Sequence, residues 1–503
     1  MSSLLHLSED ILLEICRHIS PIDLLSLKQT GRALYAFGCT DYVWHQLQVD
    51  LPLDIPPFID SKALPASRLQ PLITHALRLD HNWRQQWSQV KRTAKIDHGD
   101  ILSHMQLLDC SQWLFTMARS HRSKAHISLW SLHDMTSVHR VVHFEIPCIF
   151  KTYAGMQRNN KEIIFAVIVR LHDSEFMSIY SVQLDDDALI APKLIPPRLI
   201  HTIEQQPHLG IFTDLHVHAH YVVAKLFKLT GRTIPHTSFL LINTRTGVIV
   251  AAYMKDLHLS NVQIRLFDEH VVVTGVKADM ALINRVYRLP DIITSPFLST
   301  TSPPFQQIIT IDDFGLPVLV FDPLPIKSDA EYHTSDDISK SEGLMVLCVD
   351  PSIDSPRHSG EFVARCLLPP NIKTSPSHTC PSPSPSPSPS PSLSNSTPRL
   401  PTTPIRKYPI TTSPHSLPEE MCIGTSGYRA VWVERSWETD EFKFMKLTLP
   451  CSPEERPVVG PLFPPHTALP FRVQSCQSLA FDDAAGRLCV GLHSGEIYLF
   501  DFV

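Results

Sequence analysis

Ile11, Ile15 and Ile19 recur every four residues near the start of the chain, with Leu12 and Cys16 beside them, which draws one apolar stripe on a helix. Ser8 is placed to cap this helix, and Glu9 and Asp10 suit the positive end of its dipole. Ser20-Pro21-Ile22-Asp23 then restarts the chain: a serine N-cap, a proline at the first helical position and an acid that reaches back to the free amides. Leu24, Leu25 and Leu27 follow on a short second helix. Residues 30–37 and 41–47 read as a third and a fourth helix, carrying Leu34, Tyr35, Phe37, Tyr42, Val43, Trp44 and Leu47. A looser helical neck continues through "ASRLQPLITHALRLDHNWRQQW", residues 66–87.

Near Met105 the period changes. "HISLW", "EIIFAVIVRL", "HYVVAKLF", "FLLINTRTGVIVAAY", "HVVVTGV", "GLMVLCVD", "YRAVWV" and "FKFMKLTL" are short β-rich runs between polar turns. "INTRTGVIV" signals a hairpin whose glycine supplies a positive φ. The closing stretch "SLAFDDAAGRLCVGLHSGEIYLFDF" reads strand, Gly turn, strand, Ser-Gly turn, strand. Many short antiparallel strands without intervening helices mean a sandwich, a barrel or a propeller, and a stretch this long suits a propeller, of about seven blades.

These patterns divide the chain into a helical domain over 1–50, a helical neck over 51–104 and an all-β, propeller-like domain over 105–503. Within the last, residues 371–418 form a Ser/Pro-rich insertion around "CPSPSPSPSPSPSLSNSTPRLPTTP". It has little apolar surface to bury, and its prolines remove ladder donors, so disorder with polyproline character is expected there. This tract explains part of the excess of 43 Pro over 17 Gly. Its Ser-Pro steps offer proline-directed phosphorylation at Ser382, Ser384, Ser386, Ser388 and Ser390, with Ser375 and Ser413 outside the repeat; a neutral, slippage-prone repeat is the alternative.

A formal charge of −6 argues against a basic nucleic-acid surface, and no basic stripe is interleaved with aromatics. The 11 cysteines are scattered singly, so neither a zinc site nor a disulfide framework is signalled, and a reduced compartment is the simplest reading. "MSSLLHLSEDILLEI" lacks a basic n-region, and no apolar run is long enough for a bilayer span. The expectation is a soluble protein of the cytoplasm, the nucleus or both, with no membrane partner.

Leu7 with Ile11 and Leu12, then Ile15 and Ile19, then Pro21, Asp23, Leu24 and Leu25, and finally Trp44 resemble an F-box. This is the helical module that docks substrate receptors onto the Skp adaptor of cullin–RING ubiquitin ligases. The family commonly has Leu-Pro where this chain has Leu7-Ser8. The C-terminal stretch resembles one blade of a WD-type propeller, with Phe500-Asp501 standing where Trp-Asp is usual. The order F-box, neck, divergent propeller also resembles many fungal F-box proteins. The resemblance implies that Leu7, Ile11, Leu12, Ile15, Pro21, Leu24 and Leu25 hold a Skp-type adaptor and, through it, a cullin–RING ligase. The propeller would then recruit an unidentified protein substrate for ubiquitination.

Physics points the same way. A module of some forty residues without metal or disulfide rarely buries enough surface to stand alone, and its leucines exceed what one helical face needs. The alternative is a non-ligase propeller scaffold with the helices as a structural cap. No GxSxG elbow, phosphate-binding glycine loop or HExxH occurs, so a non-catalytic adaptor without cofactor is expected. "DLHVHAHYV" places His216, His218 and His220 at a spacing that could bind a metal, but with no further ligand identifiable they read as solvent-facing histidines, and no metal site is assigned.

Overall fold

The computed structural model describes residues 7–47, 49, 51–55, 59, 61–108, 111–119, 124–147, 149–156, 162–171, 174–184, 194–205, 209–227, 238–253, 259–267, 270–276, 281–289, 308–310, 319–320, 324–325, 331–334, 343–349, 362–367, 405–409, 416–450 and 455–503. Among them, no helix is long and apolar enough to cross a membrane.

Helices α1 (Glu9–His18), α2 (Pro21–Lys28), α3 (Arg32–Phe37) and α4 (Asp41–Gln46) are followed by the long α5 (Ala66–Arg84). Ser20 closes a capping box on α2: its Oγ accepts from the Asp23 amide at 3.1 Å, and the Asp23 carboxylate accepts from the Ser20 amide at 3.2 Å. Ser8 occupies the N-cap of α1, but its side chain makes no cap bond; its carbonyl accepts from the Leu12 amide at 3.0 Å. Leu12, Cys16, Leu24, Phe37, Val43, Trp44 and Leu47 form the helical core, and Ala66, Leu69 and Ile73 of α5 complete it. The small module therefore borrows its missing core from the neck.

The stripe on α5 continues past that core at helical spacing. Leu79 and Trp83 are fully buried against Val431, Phe481, Leu488, Phe500 and Phe502 of the β domain, with the Trp83 ring 5.0 Å from Phe481 and 5.3 Å from Phe502. One helix thus belongs to two cores. Polar contacts add to the joint: Asn82 Nδ2 donates to the Phe502 carbonyl at 2.8 Å, and Lys446 Nζ donates to the Gln85 carbonyl at 2.8 Å and to Ser88 Oγ at 2.9 Å.

The described strands fall into seven sheets. The first comprises Ile101–Leu108, Trp113–Arg119, Lys124–Ser131 and His139–Pro147. Three more follow within residues 149–204, 211–253 and 260–288, the last two extended at their edges by short strands from 308–325. A fifth ladder uses 331–334, 343–349, 362–367 and 405–409. The sixth sheet comprises Ser416–Ile423, Arg429–Ser436, Phe442–Thr448 and Val458–Pro461. Six of the seven are described with packed side chains; of the fifth, only Tyr408 is placed in a core. Packing is thus described for six blades against the expected figure of about seven.

The last sheet closes the ring. Cys476–Asp482, Arg487–Leu492 and Glu496–Asp501 are joined at the outer edge by Arg92–Asp97, running antiparallel to Glu496–Asp501 with Arg92 opposite Asp501. The first strand of the first sheet packs against the first strands of both the second and the last sheet, so successive blades are arranged around a common centre. Gly486 and Gly495 carry φ of +72° and +88° in the two hairpin turns of the closing stretch, and Gly247 takes +72° in the "INTRTGVIV" hairpin, as expected.

Two boundaries need correction. The β domain begins at Arg92, not at 105, because "RTAKID" becomes a strand only through pairing with the far end of the chain, which no local apolar pattern announces. The insertion over 371–418 is narrower than expected: Ile405–Pro409 pairs with Phe362–Leu367, and residues 416–418 already belong to Ser416–Ile423. Ser375, Ser382, Ser384, Ser386, Ser388, Ser390 and Ser413 lie outside the described residues.

Candidate partner-docking face

Helix α1 divides its apolar residues between two faces. Leu12 and Cys16 point into the core, where burial pushes the Cys16 thiol pKa up. Leu7 and Ile11 remain exposed, Ile11 with 49% of its surface in water, and Ile15 is half-buried. The same division continues on α2. Leu24 is completely buried, whereas Ile22 is 57% exposed, and Pro21 and Leu25 are half-buried.

Of the seven residues expected to touch a partner, Leu12 and Leu24 are therefore corrected to core residues, lying four residues beyond Ser8 and Ser20 on the inward face. Leu7, Ile11, Ile15, Pro21 and Leu25 retain surface that a partner could cover. Three residues that sequence reasoning passed over join them. Ile22 directly follows Pro21 on the outer side of α2, while Tyr35 and Tyr42 are exposed on α3 and α4. Periodicity on α2 becomes a signal only once Leu24 is known to be buried: with Leu24 and Lys28 four apart in the core, Ile22 falls on the other face.

The frame behind this face is tightly specified. Trp44 donates its indole N–H to the Gly38 carbonyl at 2.8 Å. Lys28 is buried, with Nζ donating to Gln70 Oε1 at 2.6 Å and lying 5.2 Å from the Tyr35 ring centroid and 5.6 Å from that of Trp44. A methyl group on Gly38 would stand 2.5 Å from Lys28 Cγ, so that close approach requires glycine. Arg17 reaches from α1 to Gln46 of α4 at 3.0 Å and to Glu14 at 2.9 Å. The Asp41 carboxylate accepts from the Ala66 amide at 2.7 Å, which ties α4 to the start of α5.

Elsewhere, the histidine run departs from its expected arrangement. His216 is buried, and its Nδ1 accepts from the Leu266 amide at 3.3 Å. His218 ends its strand, and His220 lies in the turn beyond it, its ring 4.1 Å from that of Tyr221. Among the described residues, no group of three His, Cys, Asp or Glu side chains is placed to hold a metal ion. Phe500-Asp501 is a built feature of the last blade. Phe500 is buried beside Phe463 and Phe471, and Asp501 accepts from Arg92 at 2.6 Å, with Arg487 3.5 Å away.

No protein-family model matches the chain, and no curated protein matches it. Solved structures do. The β-propeller domain of Cps50 (Swd1) from Myceliophteria thermophila aligns with 82% of this chain and 100% of its own at 9% identity, with a TM-score of 0.44. Hydrazine synthase from Kuenenia stuttgartiensis covers 82% of this chain and 99% of its own at 9% identity, TM-score 0.42. Oligogalacturonate lyase from Vibrio parahaemolyticus covers 81% and 91% at 8% identity, TM-score 0.43. With its ring of four- and five-stranded sheets closed by Arg92–Asp97, the chain is a β-propeller preceded by a small helical region.

Proposed function

We propose that this protein is a non-catalytic substrate receptor of a Skp–cullin–F-box ubiquitin ligase, acting in the cytoplasm, the nucleus or both without a cofactor. The observation that carries this reading is the exposed apolar set Leu7, Ile11, Ile22, Tyr35 and Tyr42, left outside a core that α5 has already completed. Helical anchors of this kind suit a partner that offers helices of its own, as a Skp-type adaptor does. The adaptor would bring the cullin–RING core, and the propeller would present a target protein. Catalysis would then be proximity, raising the local concentration of a substrate lysine near a ubiquitin-charged enzyme. The attachment of α5 to both cores suits this role, because a stiff neck fixes the distance between ligase and target.

The test is co-precipitation of a Skp adaptor with the full chain and with an Ile11→Asp, Ile22→Asp double variant. Both side chains are exposed, so the variant keeps its helical circular dichroism and loses the adaptor. Undiminished capture overturns the reading. The alternative, a non-ligase scaffold whose helices cap the propeller, is favoured by the burial of Leu79 and Trp83 in the β domain. It predicts that the full chain never captures the adaptor, while a chain starting at Arg92 is insoluble.

A further inference from the structure

His98 follows the closing strand, in the turn that leads into the first blade, and only 5% of it is exposed. Neither ring nitrogen has a hydrogen-bond partner among the described residues. Its backbone N–H donates to the Gly495 carbonyl in the last blade at 3.0 Å, and its ring lies 6.0 Å from that of Trp130 in the first blade. His98 thus sits where the two ends of the ring meet.

The groups around it carry charge of both signs, and the nearest cation is Arg140. The Arg140 guanidinium lies 4.5 Å from the Trp130 ring centroid. His126 and His143 stack with centroids 5.4 Å apart, and His143 Nδ1 meets Ser128 Oγ at 3.0 Å. Asp100, partly exposed, is 3.7 Å from His126 Nε2, and Asp97 also acts on Arg140. Glu145 is engaged by Lys124 at 2.6 Å, and Lys95 pairs with Glu496.

We propose that this imidazole cluster makes the seam between the first and last blades acid-labile: the closing strand opens more readily in mildly acidic surroundings than at neutral pH. A proton on His98 would be buried without an acceptor and would face Arg140. Burial first, and Arg140 second, hold the His98 pKa down to about 4 from an ordinary 6.5. The His143 pKa is lowered as well, by burial and then by Arg140 and His126. With the closed-state pKa depressed, the seam is fully stabilised above 6.5, and that stability is lost as pH falls towards 4. For His98 alone, the opening constant rises about 30-fold by pH 5 and about 300-fold at the low-pH limit.

Amide hydrogen exchange between pH 7.5 and 5, corrected for the intrinsic pH dependence, tests this on the full chain. The expected result is roughly 30-fold faster opening in 92–97 and 496–501, with the second-blade strands 162–171 and 174–183 unchanged. His98→Phe, which keeps a ring in place, removes most of the acceleration and leaves only the part due to His143. Followed down to pH 4, Arg140→Gln lowers the acceleration reached there and makes it level off at a higher pH, and it decides the matter alone if His98→Phe fails to fold. No acid-specific acceleration, an equal acceleration in every blade, or acceleration unchanged in the variants that fold overturns the proposal.

Discussion

Asp80 and Arg429 meet at 3.1 Å, a carboxylate on α5 against a guanidinium buried in the sixth blade. Asp80 also pairs with Arg84 at 2.6 Å, and Arg429 donates from Nη1 to the Asp483 carbonyl in the last blade at 2.7 Å. The Asp483 carboxylate in turn accepts from the amides of Ser426, Tyr428 and Arg429 at 2.8, 2.9 and 3.1 Å. Neck, sixth blade and last blade are therefore linked through one buried arginine.

Removing the Asp80 carboxylate leaves that arginine charged, buried and short of its acid. Asp80→Ala is expected to destabilise the protein by about 3–5 kcal/mol, the usual range when one partner of a buried pair is lost. Urea unfolding measures this. A loss below about 1 kcal/mol would show that water and the Asp483 carbonyl suffice to hold the Arg429 guanidinium without its acid.

The two serines that begin helices should behave differently. Ser20→Ala breaks a reciprocal capping box and is expected to cost about 1 kcal/mol, whereas Ser8→Ala removes a hydroxyl that makes no cap bond and should change stability by only a few tenths. Thermal unfolding of the two variants side by side decides the matter. Equal losses would mean that Ser8 caps α1 after all.

The contrast between these serines also marks what the sequence could reveal. Ser20-Pro21-Ile22-Asp23 is a local signal, with every partner inside four residues, so the capping box was legible. The closing hairpins were legible for the same reason, because alternation and turn glycines are local. Arg92–Asp97 was not: its partners lie some four hundred residues away, and its own pattern is mostly polar and exposed. The docking residues fall between these cases. Apolar character selected the right helices, but Leu24 and Ile22 look alike in composition, and only the packing of Leu24 against Trp44 and Ile73 separates core from surface.

That separation has a direct consequence. Leu24→Ala is expected to cost about 2–5 kcal/mol, as truncations of fully buried leucines do, while Ile22→Ala should leave stability within about 0.5 kcal/mol. If Ile22→Ala proves the more destabilising of the two, α2 presents its other face to the core. Chemical denaturation monitored by circular dichroism at the helical band reads both.

Lys446 provides a test at alkaline pH. Its ammonium is buried between the Gln85 carbonyl and Ser88 Oγ, and burial lowers its pKa from 10.5 to about 8. Below pH 8 both folded and unfolded chains hold the proton, and the burial cost is fully present. Between 8 and 10.5 the unfolded chain binds more protons than the folded one, so this group makes stability rise with pH. Lys446→Met removes that slope. It also leaves the Gln85 carbonyl and Ser88 without their donor, so the variant starts from a lower stability at pH 7 and its deficit widens as pH rises from 8 to 10. The measurement is the difference in unfolding free energy between wild type and variant at pH 7, 8, 9 and 10, which cancels the other lysines and tyrosines. A difference that stays constant over that window would mean that the Lys446 ammonium titrates normally and that its contacts with the 85–88 segment offset its burial.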